Sequence, residues 1–235
     1  MMRLDKFLVE LGKGSRKDAK EYIRKRLVTV NNVIVKSSDI KIDEEKDTVC
    51  LNGEKLIYEK FVYIMLNKPA GVVSATFDNK DKTVLDLIHE YKHLNLFPFG
   101  RLDKDSEGLL IISNDGKLAH ELLSPKKHVD KKYFVIVTGK VNENDVEEFK
   151  KGIILDDNEK CKSAALEIIE SNDISKCYVT ISEGKFHQVK RMFECLNKKV
   201  TYLKRVTFGN VYLDPDLETG QYRKLSEEEI EKLRN

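Results

Sequence analysis

Phe99-Gly100-Arg101-Leu102-Asp103-Lys104-Asp105-Ser106-Glu107-Gly108-Leu109-Leu110-Ile111-Ile112 sets a charged loop bounded by glycines directly against four large aliphatic residues. The aliphatic run is strand-sized and lacks polar alternation, so both faces of that strand are expected to be buried. Asn114-Asp115-Gly116 stops it, and 117–124 is predicted as a helix. Charged side chains displayed at the edge of a buried sheet are a common setting for an active site. Composition alone favours an exposed, charge-neutral turn.

Upstream, Phe61-Val62-Tyr63-Ile64-Met65-Leu66 predicts a second strand, and Pro69 and Gly71 in Asn67-Lys68-Pro69-Ala70-Gly71 force a loop after it. A helix is predicted over 83–91. Downstream, strands are predicted over 133–137, 166–169 and 178–181, with an acidic helix over 143–151 between the first two. A helix over 186–196 turns Val189, Met192, Phe193 and Leu196 inward. Its polar positions, His187, Lys190, Arg191 and Glu194, share the opposite face, where a solvated charge face is the usual meaning. A last helix spans 226–234. These signals interleave without a regular strand–helix–strand period, which predicts an α+β fold with a mixed, largely antiparallel sheet flanked by helices.

The first 60 residues read differently. Leu4, Phe7, Leu8 and Leu11 make the stripe of a short amphipathic helix stopped by Gly12. Ser15 and Asp18 form a capping box for a second helix. That helix turns Ala19, Tyr22, Ile23 and Leu27 inward and Arg16, Lys17, Lys20, Arg24, Lys25 and Arg26 outward. Val28-Thr29-Val30-Asn31-Asn32-Val33-Ile34-Val35 predicts a hairpin, since both asparagines tolerate positive φ. Residues 1–41 carry 11 Lys and Arg against 5 Asp and Glu, whereas the remainder carries 31 against 35. A basic head on a mildly acidic body suggests a polyanion-binding module of residues 1–60 joined to a second domain of 61–235.

Other classes are disfavoured. With 40% hydrophobic and 35% charged residues in 235, the composition is that of a folded soluble chain. No apolar run approaches the ~18 residues of a membrane span, and Met1-Met2-Arg3-Leu4-Asp5-Lys6 has no apolar signal core, so a cytoplasmic location is expected. The four cysteines, Cys50, Cys161, Cys177 and Cys195, lie far apart and are expected to be reduced thiols. His89 and His93 stand at i, i+4 without an acidic third ligand, so no metal site is expected. There is no phosphate-binding glycine loop, dinucleotide fingerprint or nucleophile elbow.

Two resemblances tie these stretches together. Arg3-Leu4-Asp5-Lys6-Phe7-Leu8, Ser15-Arg16-Lys17-Asp18-Ala19 and the Asn31-Asn32 turn resemble the S4 RNA-binding domain. Gly100-Arg101-Leu102-Asp103 with Gly108-Leu109-Leu110 and Asn114-Asp115-Gly116, then Lys132-Tyr133, then Glu183-Gly184-Lys185-Phe186-His187-Gln188-Val189-Lys190-Arg191-Met192-Phe193, resemble the ordered motifs of ribosomal pseudouridine synthases. Asn67-Lys68-Pro69-Ala70-Gly71 and Gly220-Gln221-Tyr222-Arg223-Lys224-Leu225 also fit.

The resemblance implies isomerisation of uridine to pseudouridine, which conserves atoms and needs no cofactor and no metal. It implies Asp103 as nucleophile or base, buried and held ionised by Lys190, with Arg191 as the second candidate, and Tyr133 stacked on the uracil. Arg101 would fill the space left by a flipped base. Lys68, His187, Gln188, Arg191 and Arg205 would contact RNA or neighbouring structure, and Arg3, Lys6, Arg16, Lys17, Lys20 and Arg24 would lie along phosphates. The wording Phe186-His187-Gln188-Val189-Lys190-Arg191-Met192 is similar to the enzymes acting on small-subunit 16S rRNA, of the uridine-516 type. The implied partner is ribosomal RNA or an assembly intermediate, with no membrane, and a monomer is expected. The alternatives are a synthase for large-subunit 23S rRNA, a non-catalytic S4-type RNA-binding or ribosome-assembly factor, and a metal-dependent nuclease using Asp103 and Asp105.

Overall fold

The computed structural model describes residues 1–124 and 127–235. Its contacts divide the chain into two units, Met1–Phe61 with Glu90–Asn95, and Val62–His89 with Leu96–Asn235.

In the first unit, helix α1 (Leu4–Glu10) buries Leu4, Phe7 and Leu8 against Ala19 and Ile23 of helix α2 (Arg16–Arg24). The predicted capping box is present: Ser15 Oγ accepts from the Asp18 amide at 3.3 Å, and Asp18 Oδ2 accepts from the Ser15 amide at 2.8 Å. Asn31 and Asn32 both take left-handed φ values, 50° and 65°, at the turn between strands Val28–Val30 and Val33–Ile34. Val28–Val30 also pairs with Val49–Leu51, a partner that the local pattern does not announce. Arg3, Lys6, Arg16, Lys17, Lys20 and Arg24 are all exposed.

The second unit is built on a mixed sheet. Its main path uses β1 (Tyr63–Lys68), β2 (Glu107–Ser113), β3 (Lys131–Thr138), β4 (Ala165–Glu170), β5 (Ile174–Ile181), β6 (Lys199–Phe208) and β7 (Tyr222–Lys224) in the order β4-β5-β3-β6-β2-β1-β7. Every pairing on this path is antiparallel except β6 with β2. Residues 109–112 are fully buried because the sheet is covered on both sides. On one face Leu109 and Ile111 pack with Tyr63, Met65, Phe99, Phe208 and helix α3 (Gly116–Leu123). Each such aliphatic side chain contributes about 1.5–3 kcal/mol. Asp115 caps α3 and also accepts from the Tyr63 hydroxyl at 2.6 Å, fixing the helix to β1. Helix α4 (Glu143–Lys151) lies where it is expected, and the C-terminal helix is Glu227–Arg234 with Ser226 as its cap. Among the described residues no helix is long and apolar enough to cross a membrane.

Two expected helices are corrected, and one strand is added. The helix expected over 83–91 is a single 3-10 turn, Val84–Leu87, because Ile88 swings to extended geometry and is buried. His89 and His93 therefore do not share a helical face. The helix expected over 186–196 shortens to α5 (Gln188–Glu194), leaving Phe186 and His187 outside it. The ten-residue β6 has no counterpart in the sequence pattern, since Lys199, Thr201 and Arg205 interrupt its apolar alternation.

The two antiparallel halves of the sheet meet at the short parallel seam, where Gly108 lies opposite Arg205. Gly108 has φ 99°, and a Cβ there would collide with the Arg205 carbonyl oxygen. Gly220 has φ 90° with open space around it. Gly108→Ala is expected to lower stability by at least about 2 kcal/mol, and Gly220→Ala by only about 1 kcal/mol. Urea unfolding of the two variants checks this; equal losses would mean the seam tolerates a side chain.

Candidate active site

The loop 99–106 is pinned from several sides before its carboxylates point anywhere. The Phe99 amide donates to Ile111 O at 2.7 Å, and Ser74 Oγ exchanges hydrogen bonds with the Leu102 amide and carbonyl at 3.0 and 2.9 Å. The Gly71 amide donates to Lys104 O at 2.7 Å. Lys68, at the end of β1, is 0% exposed. Its ammonium donates to Ser106 O at 2.7 Å, to Pro69 O and Asp103 O at 3.0 Å, and to Lys104 O at 3.4 Å. Burial pushes its pKa down to about 8, so it is protonated at neutral pH.

Helix α5 supplies the other wall. The buried Gln188 accepts from the Lys185 amide at 2.9 Å and donates to Glu183 at 2.7 Å, locking the approach to the helix. His187 caps α5 in the left-handed region with φ 48°. Its Nε2 lies 3.6 Å from Asp103 Oδ1. One turn on, Lys190 Nζ is 3.3 Å from Asp103 Oδ2 and 2.6 Å from Asp105 Oδ1. Burial acts to lower the Lys190 pKa, but the bond from Asp105 and the charge of Asp103 outweigh it and hold the group above the ordinary lysine value. The same contact with Lys190 holds the Asp105 carboxyl below the usual carboxylate range.

Asp103, Asp105 and His187 border an open depression of about 430 Å³, together with Ala70, Gly71 and Lys104. The Asp103 side chain keeps 27% of its surface exposed, so it is not the fully buried carboxylate expected from the adjoining strand. A carboxylate beside an ammonium at the mouth of such a depression can act as a nucleophile or a base. Among the described residues no group of three or more His, Cys, Asp and Glu could hold a metal.

The structure distributes the remaining candidates unevenly. Arg101 is exposed on the same loop. Tyr133 is 7% exposed on β3, is not among the residues lining the depression, and interacts with the Arg205 guanidinium. Of the two expectations for Lys68, Gln188 and Arg205, RNA or neighbouring structure, the first is corrected: all three are buried internal supports. Arg205 is 2% exposed, donates from Nε to Leu109 O at 2.7 Å, and lies over the Phe208 ring. Arg191 is not a partner of Asp103. It is clamped by Asp156 and by Asp157, the latter at 2.7 Å, and these bonds hold its pKa above the ordinary arginine value. Asp105, given a role only under the nuclease alternative, and Gly71, given none, border the site; the two-residue spacing from Asp103 is the signal for the first, and its link to Lys190 is a tertiary fact.

Lys68→Met would leave four loop carbonyls without their shared donor. A loss of about 3 kcal/mol or more is expected. Lys104→Met, which removes an exposed pair with Asp81 at 2.6 Å, is expected to cost less than about 1 kcal/mol. Denaturant midpoints decide it, and a Lys68→Met variant as stable as Lys104→Met would remove the loop's proposed anchor.

Comparison with known proteins agrees with this arrangement. Residues 62–195 match the family described as RNA pseudouridylate synthase, and residues 2–49 match the S4 domain. A Bacillus subtilis protein named as an uncharacterized RNA pseudouridine synthase, YtzG, is 44% identical over 235 residues, covering 99% of this chain and 98% of that one. Ribosomal small subunit pseudouridine synthase A of Escherichia coli is 41% identical over 232 residues, covering 97% and 98%. A crystal structure of a pseudouridylate synthase with 40% identity superposes with a TM-score of 0.70, covering 99% of this chain and all of that one. With its S4 domain followed by this loop, sheet and helix, the chain belongs to the RNA pseudouridine synthases, a family of isomerases.

Proposed function

We propose that the chain isomerises a uridine of small-subunit ribosomal RNA, with residues 1–60 docking the RNA and 61–235 carrying the chemistry. The observation that carries this is the Asp103 carboxylate, 3.3 Å from the Lys190 ammonium at the edge of the open depression. Support for the small-subunit target comes from the full-length likeness to enzymes named for that subunit.

A uridine stacked in RNA cannot reach Asp103, so the base must swing out into the depression, at an unstacking cost that contacts with the protein offset. Arg101 is exposed and two residues before Asp103, which suits a side chain that fills the vacated place in the stack. Asp103 then attacks either C1′ of the sugar, displacing N1, or the uracil ring, after which the C1′–N1 bond breaks. The base turns, C5 bonds to C1′, and the bond from Asp103 to the substrate breaks, which frees the carboxylate. C5 gives up its proton to solvent and N1 takes one up, so atoms and charge balance. Lys190 sets an ammonium 3.3 Å from the attacking carboxylate, and Asp105 keeps Lys190 in place. Tyr133, which interacts with Arg205 and does not line the depression, is proposed to stack on the uracil once RNA is bound. The exposed cations Arg3, Lys6, Arg16, Lys17, Lys20 and Arg24 are proposed to lie along phosphates, which fix register without reading bases.

Release of tritium from transcripts carrying 5-tritiated uridine tests this. Unmodified small-subunit transcript is expected to release tritium and large-subunit transcript to release none. Asp103→Asn is expected to slow release at least about a hundredfold while still retaining RNA on a filter. Release only from the large-subunit transcript would overturn the target, and an active Asp103→Asn would overturn the nucleophile. Strand scission that stops in EDTA would point to the metal-dependent nuclease.

A further inference from the structure

Phe186 has no part in the chemistry above, yet the fold places it with care. It stands immediately before α5 but outside the helix's buried stripe of Val189, Met192 and Phe193. Its side chain is 74% exposed. One face of its ring stacks on His187, with centroids 3.8 Å apart and planes 18° from parallel. His187 adopts left-handed backbone geometry, uncommon for a residue other than glycine. Its Nε2 lies 3.6 Å from Asp103 Oδ1. The rings therefore form a step leading outward from the nucleophile: Asp103, then His187, then Phe186 with its outer face bare.

We infer that Phe186, backed by His187, is the platform on which a nucleobase adjoining the target uridine stacks, so that it helps decide which flanking nucleotide the site accepts. This rests on the RNA reading of the site. The target uracil must reach Asp103, and Phe186 stands beyond His187, whose Nε2 is 3.6 Å from that carboxylate. The occupant is thus a neighbour of the target and not the target itself. A bare phenyl face beside a depression that Asp103, Lys104 and Asp105 border with charge suits a base, which offers a π surface and a polar edge together. Stacking tolerates any base but requires one, and a purine covers the ring more fully than a pyrimidine.

The test uses full-length protein and the shortest small-subunit rRNA fragment that releases tritium, with each nucleotide beside the target replaced in turn by an abasic residue. With the wild type, one abasic position is expected to raise KM about tenfold. Phe186→Ala is expected to raise KM about tenfold on intact RNA and to show no added penalty at that abasic position. Phe186→Trp should restore wild-type behaviour, and Phe186→Leu, apolar but not aromatic, should not. If Phe186→Ala matches the wild type, if Phe186→Leu rescues as well as Phe186→Trp, or if the abasic penalty persists in Phe186→Ala, the platform is overturned. Wild-type release separates the two claims: no release from any rRNA overturns the RNA target and the platform with it, whereas release that is indifferent to Phe186 overturns the platform alone.

Discussion

Moving an ammonium out of water carries a large penalty unless other dipoles replace the lost hydration, and Lys68 meets that requirement with four backbone carbonyls. Three of them belong to the loop that carries Asp103. Loop carbonyls converging on one point would repel each other without a cation among them, so the charge and the loop conformation require each other. Gly108 completes the constraint from the other end. It lets the loop run into β2 at the one place where the two halves of the sheet meet in parallel. The carboxylate's position is therefore a consequence of buried backbone packing and not of the carboxylate's own contacts.

Above that base, the cations are sorted by acidic partners. Lys190 is shared between Asp103 and Asp105, whereas its neighbour Arg191 is drawn to Asp156 and Asp157. Adjacent helical positions point in directions about 100° apart, so one can serve the loop and the next the opposite wall. A lysine suits the shared place: its ammonium is a compact charge that can meet two carboxylates from different directions, where a planar guanidinium prefers one. The head follows another rule. Its exposed cations lie on helices held by Leu4, Phe7, Leu8, Ala19 and Ile23, and they remain accessible to a polyanion.

Much of this was legible in the sequence where local signals agree. Ser15 with Asp18, the Asn31-Asn32 turn, the run 109–112 and the acidic helix Glu143–Lys151 each combine a period with a cap or a turn, and each appears as expected. The strand β6 was not legible because its inward positions include Arg205 and Thr207, whose burial depends on Leu109 O and on the neighbouring strands. For the same reason the sequence left Lys68, Gln188 and Arg205 open between RNA and neighbouring structure. A charged or amide side chain in a motif reads as surface, and only the packed structure supplies the carbonyls and carboxylates that satisfy it inside. The pairing of Lys190 with Asp103, implied by the family likeness, is present in the geometry; the sharing with Asp105 is a tertiary contact that no spacing encodes.

The central claim is that Lys190 is held as a charged bridge between two carboxylates on a preset loop. Its most direct test is an NMR titration of the Lys190 side-chain nitrogen in the full-length protein and in Asp105→Asn. Desolvation alone would depress this group, so a value above the ordinary lysine pKa of 10.5 requires the two carboxylates to outweigh it. The account predicts a raised pKa that falls when Asp105 is neutralised. A Lys190 that titrates at or below the ordinary value, or that is indifferent to Asp105→Asn, would contradict it.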